Sequence, residues 1–132
     1  MTSTILTVVA TLIAVIAVLV AFTFLTARRV TKGFPPEGKF IDVDGDRVHY
    51  VDQGSGPAIV FVHGLCGNLR NFAYLELERL TQSHRVILID RPGSGRSLRG
   101  DASPANVYAQ ARTIARCIEK LGLDKPVLVG HS

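Results

Sequence analysis

The chain has 132 residues and a formal charge of +4; 47% are hydrophobic, 20% are charged and none is tryptophan. That balance excludes intrinsic disorder, a collagen-like repeat and a disulfide-stapled mini-protein. A polytopic channel or transporter is excluded too, because beyond the first apolar run no second one approaches 18 residues.

That first run is Ile5–Leu25, 21 residues without a charge, in which only Thr7, Thr11 and Thr23 are polar. The remainder of the chain is about 40% hydrophobic, an ordinary globular figure. As a helix the run is about 31 Å long, which matches the roughly 30 Å hydrocarbon core of a bilayer. A cleaved signal peptide expects a basic start, a shorter apolar stretch and a small-x-small cleavage site. Here residues 1–4 carry no Lys or Arg, and Ala27 is followed at once by Arg28 and Arg29. Residues 1–30 therefore read as an uncleaved transmembrane anchor.

All 15 Lys and Arg lie after the run, with Arg28, Arg29 and Lys32 at its edge. The positive-inside bias then expects a single-pass membrane protein whose C-terminal domain faces the cytoplasm. Cys66 and Cys117, in no C-x-x-C pair, agree with a reducing compartment. The other basic residues are scattered without interleaved aromatics, which argues against nucleic-acid binding. The edge cluster is explained by anionic lipid headgroups.

Residues 31–38 (TKGFPPEG) hold two prolines and two glycines and read as a linker. In the next stretch Ile41 and Val43, then Val48 and Tyr50, alternate with polar residues on either side of Asp44-Gly45, a strong hairpin signal. The hairpin is expected to end at Gly54-Ser55-Gly56-Pro57. Ala58–Val62, Val86–Ile89 and Val127–Val129 are short unbroken apolar runs that suit strands of a parallel sheet buried on both faces.

Two helices are expected between those strands. Leu69–Leu80 carries Leu69, Phe72, Leu75 and Leu80 near helical spacing. Pro104–Leu121 carries a stripe of Val107, Ala111, Ile114, Ala115, Ile118 and Leu121, with Ser103 as N-cap, Pro104 as first helical residue and Gly122 as stop. The alternation predicts an α/β domain.

Ligands of open α/β sheets bind beyond the carboxyl ends of the strands. The three loops there are His63-Gly64-Leu65-Cys66-Gly67-Asn68, Asp90-Arg91-Pro92-Gly93-Ser94-Gly95-Arg96-Ser97 and Gly130-His131-Ser132. The second lacks the Lys-Ser/Thr of a Walker motif and the third glycine of a dinucleotide fingerprint, so phosphate binding is a poor reading. The third is the first half of a Gly-x-Ser-x-Gly nucleophile elbow, in which a tight strand-to-helix turn presents the serine hydroxyl above the sheet.

In that order and spacing, FVHGLCGN, DRPGSGRS and LVGHS resemble the N-terminal half of α/β-hydrolase-fold enzymes, over about 93 of the 132 residues. The resemblance implies an incomplete α/β-hydrolase fold over residues 39–132, preceded by one transmembrane helix and cut at the elbow. It implies that Ser132 is the nucleophile of a membrane-anchored serine hydrolase, forming an acyl-enzyme that water hydrolyses. The backbone N–H of Leu65 is implied as one oxyanion-hole donor. A serine argues against members with an aspartate nucleophile, such as haloalkane dehalogenases and epoxide hydrolases. The substrate class implied is a small-molecule or lipid-like acyl ester, thioester or amide, without cofactor or metal. As it stands, the 132-residue chain is expected to be inactive, because the family's acid and histidine follow the serine. The alternative is a non-catalytic, membrane-tethered binding module that keeps the fold.

By that order His63 and Asp90 are not triad members: His63 is expected to brace its loop and Asp90 to cap backbone in its turn. His131 either lines the site or packs. His49 and His84 are expected in solvent, Cys66 near the oxyanion loop and Cys117 as a small core residue.

Overall fold

The computed structural model describes residues 2–33 and 37–131. The chain divides after Pro36 into two compact units.

The first unit is one helix, α1 (Thr2–Gly33). Its stretch Ser3–Val30 has a mean hydropathy of 3.0 and is long and apolar enough to cross a membrane. The three threonines of the apolar run spend their hydroxyls on carbonyls four residues back, Thr7 on Ser3 at 2.9 Å, Thr11 on Thr7 at 2.8 Å and Thr23 on Leu19 at 2.8 Å. No side-chain polar group in the run then asks for water, which suits a hydrocarbon surround. At the basic edge the Arg28 guanidinium lies 4.2 Å from the centre of the Phe24 ring. The linker starts later than expected, because Thr31–Gly33 continue the helix. Prolines, which would stop it, begin only at Pro35, and Phe34–Pro36 lie outside the described residues.

In the second unit the alternating residues build the expected hairpin, β1 (Lys39–Val43) and β2 (Asp46–Gln53), with Val43 opposite Asp46. Asp44 (φ 49°) and Gly45 (φ 90°) both turn left-handed, the geometry that matches strand twist in a two-residue loop. The apolar runs form β3 (Ala58–Val62), β4 (Arg85–Ile89) and β5 (Val127–Gly130). The five strands lie in the order β1-β2-β4-β3-β5. β4 and β5 run parallel to β3, whereas β2 is antiparallel to β4.

Successive residues of the inner strands face opposite layers. Val48, Tyr50, Val60, Ile87 and Ile89 join one core, and Val51, Phe61, Val86 and Leu88 join the other. β3 and β4 are largely buried, as expected of double-sided strands. β5 differs: Val127 and Leu128 are each 60% exposed, and among the described residues β5 pairs only with β3.

The expected helix at Leu69–Leu80 is two pieces, a 3₁₀ turn (Leu69–Phe72) and the short α2 (Leu77–Thr81). The break has a packing cause. Leu69, Phe72, Leu75, Leu77 and Leu80 all serve the second core. At 100° per residue one straight helix would fan those five side chains over about 200°. Spacing of three residues suits 3₁₀ geometry instead.

The long helix α3 runs Val107–Lys120, later than the expected Pro104 start. Its N-cap is Asn106, whose side chain accepts the Ala109 N–H at 2.9 Å. The Ser103 hydroxyl is engaged elsewhere, donating to Asp46 at 3.1 Å. Its buried residues are Ala109, Thr113, Ile114 and Cys117; of the expected stripe Ile114, Ile118 and Leu121 serve the core, whereas Val107 is 67% exposed. Cys117 is a core residue as expected, fully buried, with its thiol pushed up to about 12 by burial. The helix stops before Gly122 (φ 63°).

Candidate active site

The site begins with one buried carboxylate. Asp90 follows β4 directly and is 2% exposed. Its Oδ1 accepts the Leu69 N–H at 2.7 Å, at the start of the 3₁₀ turn. Its Oδ2 accepts the Arg96 N–H at 3.0 Å and lies 2.8 Å from His49 Nδ1. Asp90 thus caps backbone in its own turn, as expected, and also holds the loop after β3. Gly95 (φ 56°) passes so close that a Cβ there would overlap the Asp90 carboxylate.

His49 corrects the sequence reading. It is not in solvent: it is 3% exposed, on β2 between β1 and β4. Its Nε2 lies 2.8 Å from the Glu37 carbonyl, so both ring nitrogens face oxygen acceptors. The ring is thereby fixed at both ends. The Ser97 hydroxyl closes the cluster, donating to the Asp90 carbonyl at 2.6 Å and accepting the His49 N–H at 2.8 Å.

His63 has the opposite arrangement. Its Nδ1 lies 2.9 Å from the Gly64 carbonyl, and its Nε2 accepts the Arg91 N–H at 3.0 Å. One nitrogen donates and the other accepts, which is the neutral ring with its proton on Nδ1. Burial holds its pKa below the ordinary 6.5, and the Arg91 guanidinium pushes the same way, against the Gly64 hydrogen bond and the Asp90 charge. His63 braces its loop, as expected, and ties it to the loop after β4.

Within that loop the Gly67 N–H donates to the Gly64 carbonyl at 3.3 Å, closing a turn with Cys66 at φ 57°. Such a turn needs a left-handed third residue, and a side chain there costs roughly 1 kcal/mol. The Gly64 carbonyl also receives Arg91 Nη2 at 2.7 Å. Leu65 is 88% exposed, and among the described residues its N–H has no hydrogen-bond acceptor. Cys66 is exposed as well.

Gly130 at the end of β5 pairs with Val62 at the end of β3, and the His131 N–H donates to the Val62 carbonyl at 3.1 Å. The strand leading to Ser132 therefore ends beside the strand leading to Leu65. Ser132 itself lies outside the described residues. The exposed His131 ring meets Phe72 edge-on, with centroids 6.3 Å apart. His84 lies in a loop, partly buried, with Nδ1 2.9 Å from the Ser83 hydroxyl. No group of three or more His, Cys, Asp or Glu among the described residues is placed to hold a metal.

Residues 57–132 match the alpha/beta hydrolase fold family. The chain belongs to that family. It is 35% identical, over 95 residues, to the dihydrolipoyllysine-residue acetyltransferase component of an acetoin cleaving system from Cupriavidus necator. That alignment covers 71% of this chain and 25% of the relative. Haloalkane dehalogenase 2 of Mycobacterium tuberculosis is 32% identical over 99 residues, covering 74% of this chain and 34% of that protein. The crystal structure of the Cif epoxide hydrolase from Acinetobacter nosocomialis superposes with a TM-score of 0.65 at 31% identity, over 73% of this chain and 30% of that one. The chain spans about a quarter to a third of the length of these curated relatives.

Sequence reasoning missed two contributors, His49 and Arg91. His49 sits where hairpin alternation points a side chain outward; its burial follows from β2 being an inner strand, which only the pairing with β4 reveals. Arg91 is two residues past the end of β4, in a position that carries no signal of its own.

Proposed function

We propose that this chain is the N-terminal part of a membrane-anchored serine hydrolase of the α/β-hydrolase fold, with Ser132 as nucleophile and the Leu65 N–H as oxyanion donor. The observation that supports it is the pairing of Val62 with Gly130. Adjacent parallel strands lie about 4.8 Å apart, so two strand ends in register bring the loops that follow them to one place. One of those loops carries a serine after Gly-x, and the other carries a backbone N–H with no acceptor among the described residues.

The relatives' names cover acetyl transfer, dehalogenation and epoxide hydrolysis, and the serine after Gly-x supports acyl chemistry for this chain. A serine alkoxide attacking a carbonyl gives an acyl-enzyme, and the tetrahedral oxyanion then needs N–H donors. One such donor contributes roughly 3–4 kcal/mol of transition-state stabilisation. Displacement of a halide or opening of an epoxide by an aspartate proceeds through a different ester. The proposed substrates are therefore small or lipid-like acyl esters, thioesters or amides. Helix α1 is the proposed anchor, with the domain on the cytoplasmic side, and the catalytic acid and histidine are placed C-terminal to Ser132.

A fluorophosphonate probe applied to the full-length protein tests the nucleophile. Labelling is expected for the wild type and lost in Ser132→Ala; labelling that survives the substitution overturns the assignment. Protease digestion on sealed vesicles tests the orientation, with cleavage of the domain from the non-cytoplasmic side counting against it.

A further inference from the structure

The peptide between Gly64 and Leu65 is planar and trans, so its N–H points opposite to its carbonyl. Whatever fixes the Gly64 oxygen therefore also aims the Leu65 N–H. Three donors converge on that oxygen: Arg91 Nη2 at 2.7 Å, His63 Nδ1 at 2.9 Å and the Gly67 N–H at 3.3 Å. The Arg91 contact is the shortest and the only one with a full charge.

Two of these donors, His63 Nδ1 and the Gly67 N–H, belong to the loop itself, and only Arg91 reaches the oxygen from a second loop. The Leu65 side chain is 88% exposed, so packing does not hold it. Cys66 occupies a left-handed conformation that a non-glycine residue leaves readily. Arg91 Nε, meanwhile, is buried with no hydrogen-bond partner among the described residues. A guanidinium set in that way, with one arm on a single carbonyl and a buried donor unused, is poorly explained by fold stability alone. A cation on the carbonyl side of an amide also withdraws electron density from its nitrogen, which makes the N–H a stronger donor.

We infer that Arg91 is a positioning residue for the oxyanion hole, clamping the Gly64 carbonyl so that the Leu65 N–H is aimed and polarised toward the substrate oxygen. The inference rests on the Ser132 and Leu65 reading given above. It adds a second loop to the machinery: the loop after β4, through its guanidinium, sets the donor in the loop after β3.

The test uses the full-length protein, p-nitrophenyl esters as substrates and an aryl trifluoromethyl ketone, whose hemiketal oxyanion sits in the hole. Arg91→Met is expected to lower kcat roughly 10- to 100-fold while KM stays within about twofold, because the interaction matters only once the oxyanion forms. The ketone's affinity should fall in parallel, and Arg91→Lys should recover most of both losses. Thermal denaturation of Arg91→Lys, which keeps a cation at this position, provides a folded comparison if Arg91→Met is unstable. Unchanged kcat and ketone affinity in Arg91→Met, or a loss in KM alone, overturns the clamp while leaving the nucleophile reading intact. So does an Arg91→Lys variant that is folded and stays as impaired as Arg91→Met. If Ser132→Ala hydrolyses the esters as fast as the wild type, the underlying reading falls, and the clamp with it.

Discussion

Two aspartates, Asp46 and Asp90, are buried to nearly the same degree, 1% and 2% exposed, at two different junctions of the domain. Asp46 starts β2 and accepts from the Gly100 N–H at 2.9 Å, the Ser103 hydroxyl at 3.1 Å and the Thr113 hydroxyl at 3.0 Å. It fastens α3 and the segment before it to the hairpin. Asp90 fastens the loops after β3 and β4 through two backbone N–H groups and the His49 ring. The donors differ in kind. Hydroxyls rotate and find other partners, and Thr113 already shares its proton with the Ala109 carbonyl at 3.2 Å. Backbone N–H groups and a ring held at both nitrogens have nowhere else to turn. Burial alone does not rank two carboxylates; the freedom of their donors does.

That ranking is open to experiment, read as thermal or chemical denaturation of the full-length protein. Asp90→Ala is expected to be the costliest, about 3–5 kcal/mol, because it strands a buried His49 ring nitrogen and two backbone donors. Gly95→Ala attacks the same carboxylate from outside, by overlap and by a left-handed φ, and should cost about 2–3 kcal/mol. Asp46→Ala should cost less, about 2 kcal/mol, with the Gly100 N–H as the main unsatisfied group. An Asp46→Ala loss equal to or above that of Asp90→Ala breaks the comparison. Thr113→Val, removing one rotatable donor that Asp46 shares with the Ala109 carbonyl, should cost about 1 kcal/mol.

The same two junctions mark how far the sequence could be read. Around Asp90 much was legible: an apolar run ending in an aspartate and glycines predicts a strand, a turn and a capped backbone, and all three are present. Three loops at the carboxyl ends of strands were expected to converge, and the Val62–Gly130 register brings two of those strand ends side by side. Around Asp46 little was legible. It lies just past the hairpin turn, yet it is buried and draws Thr113 inward, so that α3 buries Thr113 and Cys117 beside Ile114 of the expected stripe. A polar pair 67 residues apart acts there beside hydrophobic periodicity. The same pull engaged the Ser103 hydroxyl and left Asn106 to cap the helix. His49 was misplaced for a related reason, since alternation along one strand says nothing of what covers its other face. Local patterns specify elements, whereas long-range polar contacts help decide which face of each element turns inward.

The histidines offer the finest test of the loop region, through pH. His63 is buried as the neutral ring, with its pKa held below 6.5 mainly by burial. An unfolded chain protonates that ring near 6.5, but the native state does so only at a lower pH. Below pH 6.5 the unfolded state therefore binds a proton that the native state refuses, and stability falls with acidification across that window. Above 6.5 neither state is charged and the contribution is complete. Asp52 acts in a separate window: paired with Arg85 at 2.8 Å, its carboxyl titrates below the ordinary 3.8, so its stabilisation fades only in stronger acid. His63→Gln should thus flatten the decline in stability between pH 7 and 5 relative to the wild type, while both proteins keep the fall below pH 4. An unchanged slope in His63→Gln would mean that the ring already carries a proton in the native state. It would then have to donate at Nε2, where the Arg91 N–H is also a donor, and the link between the two loops would not hold as described.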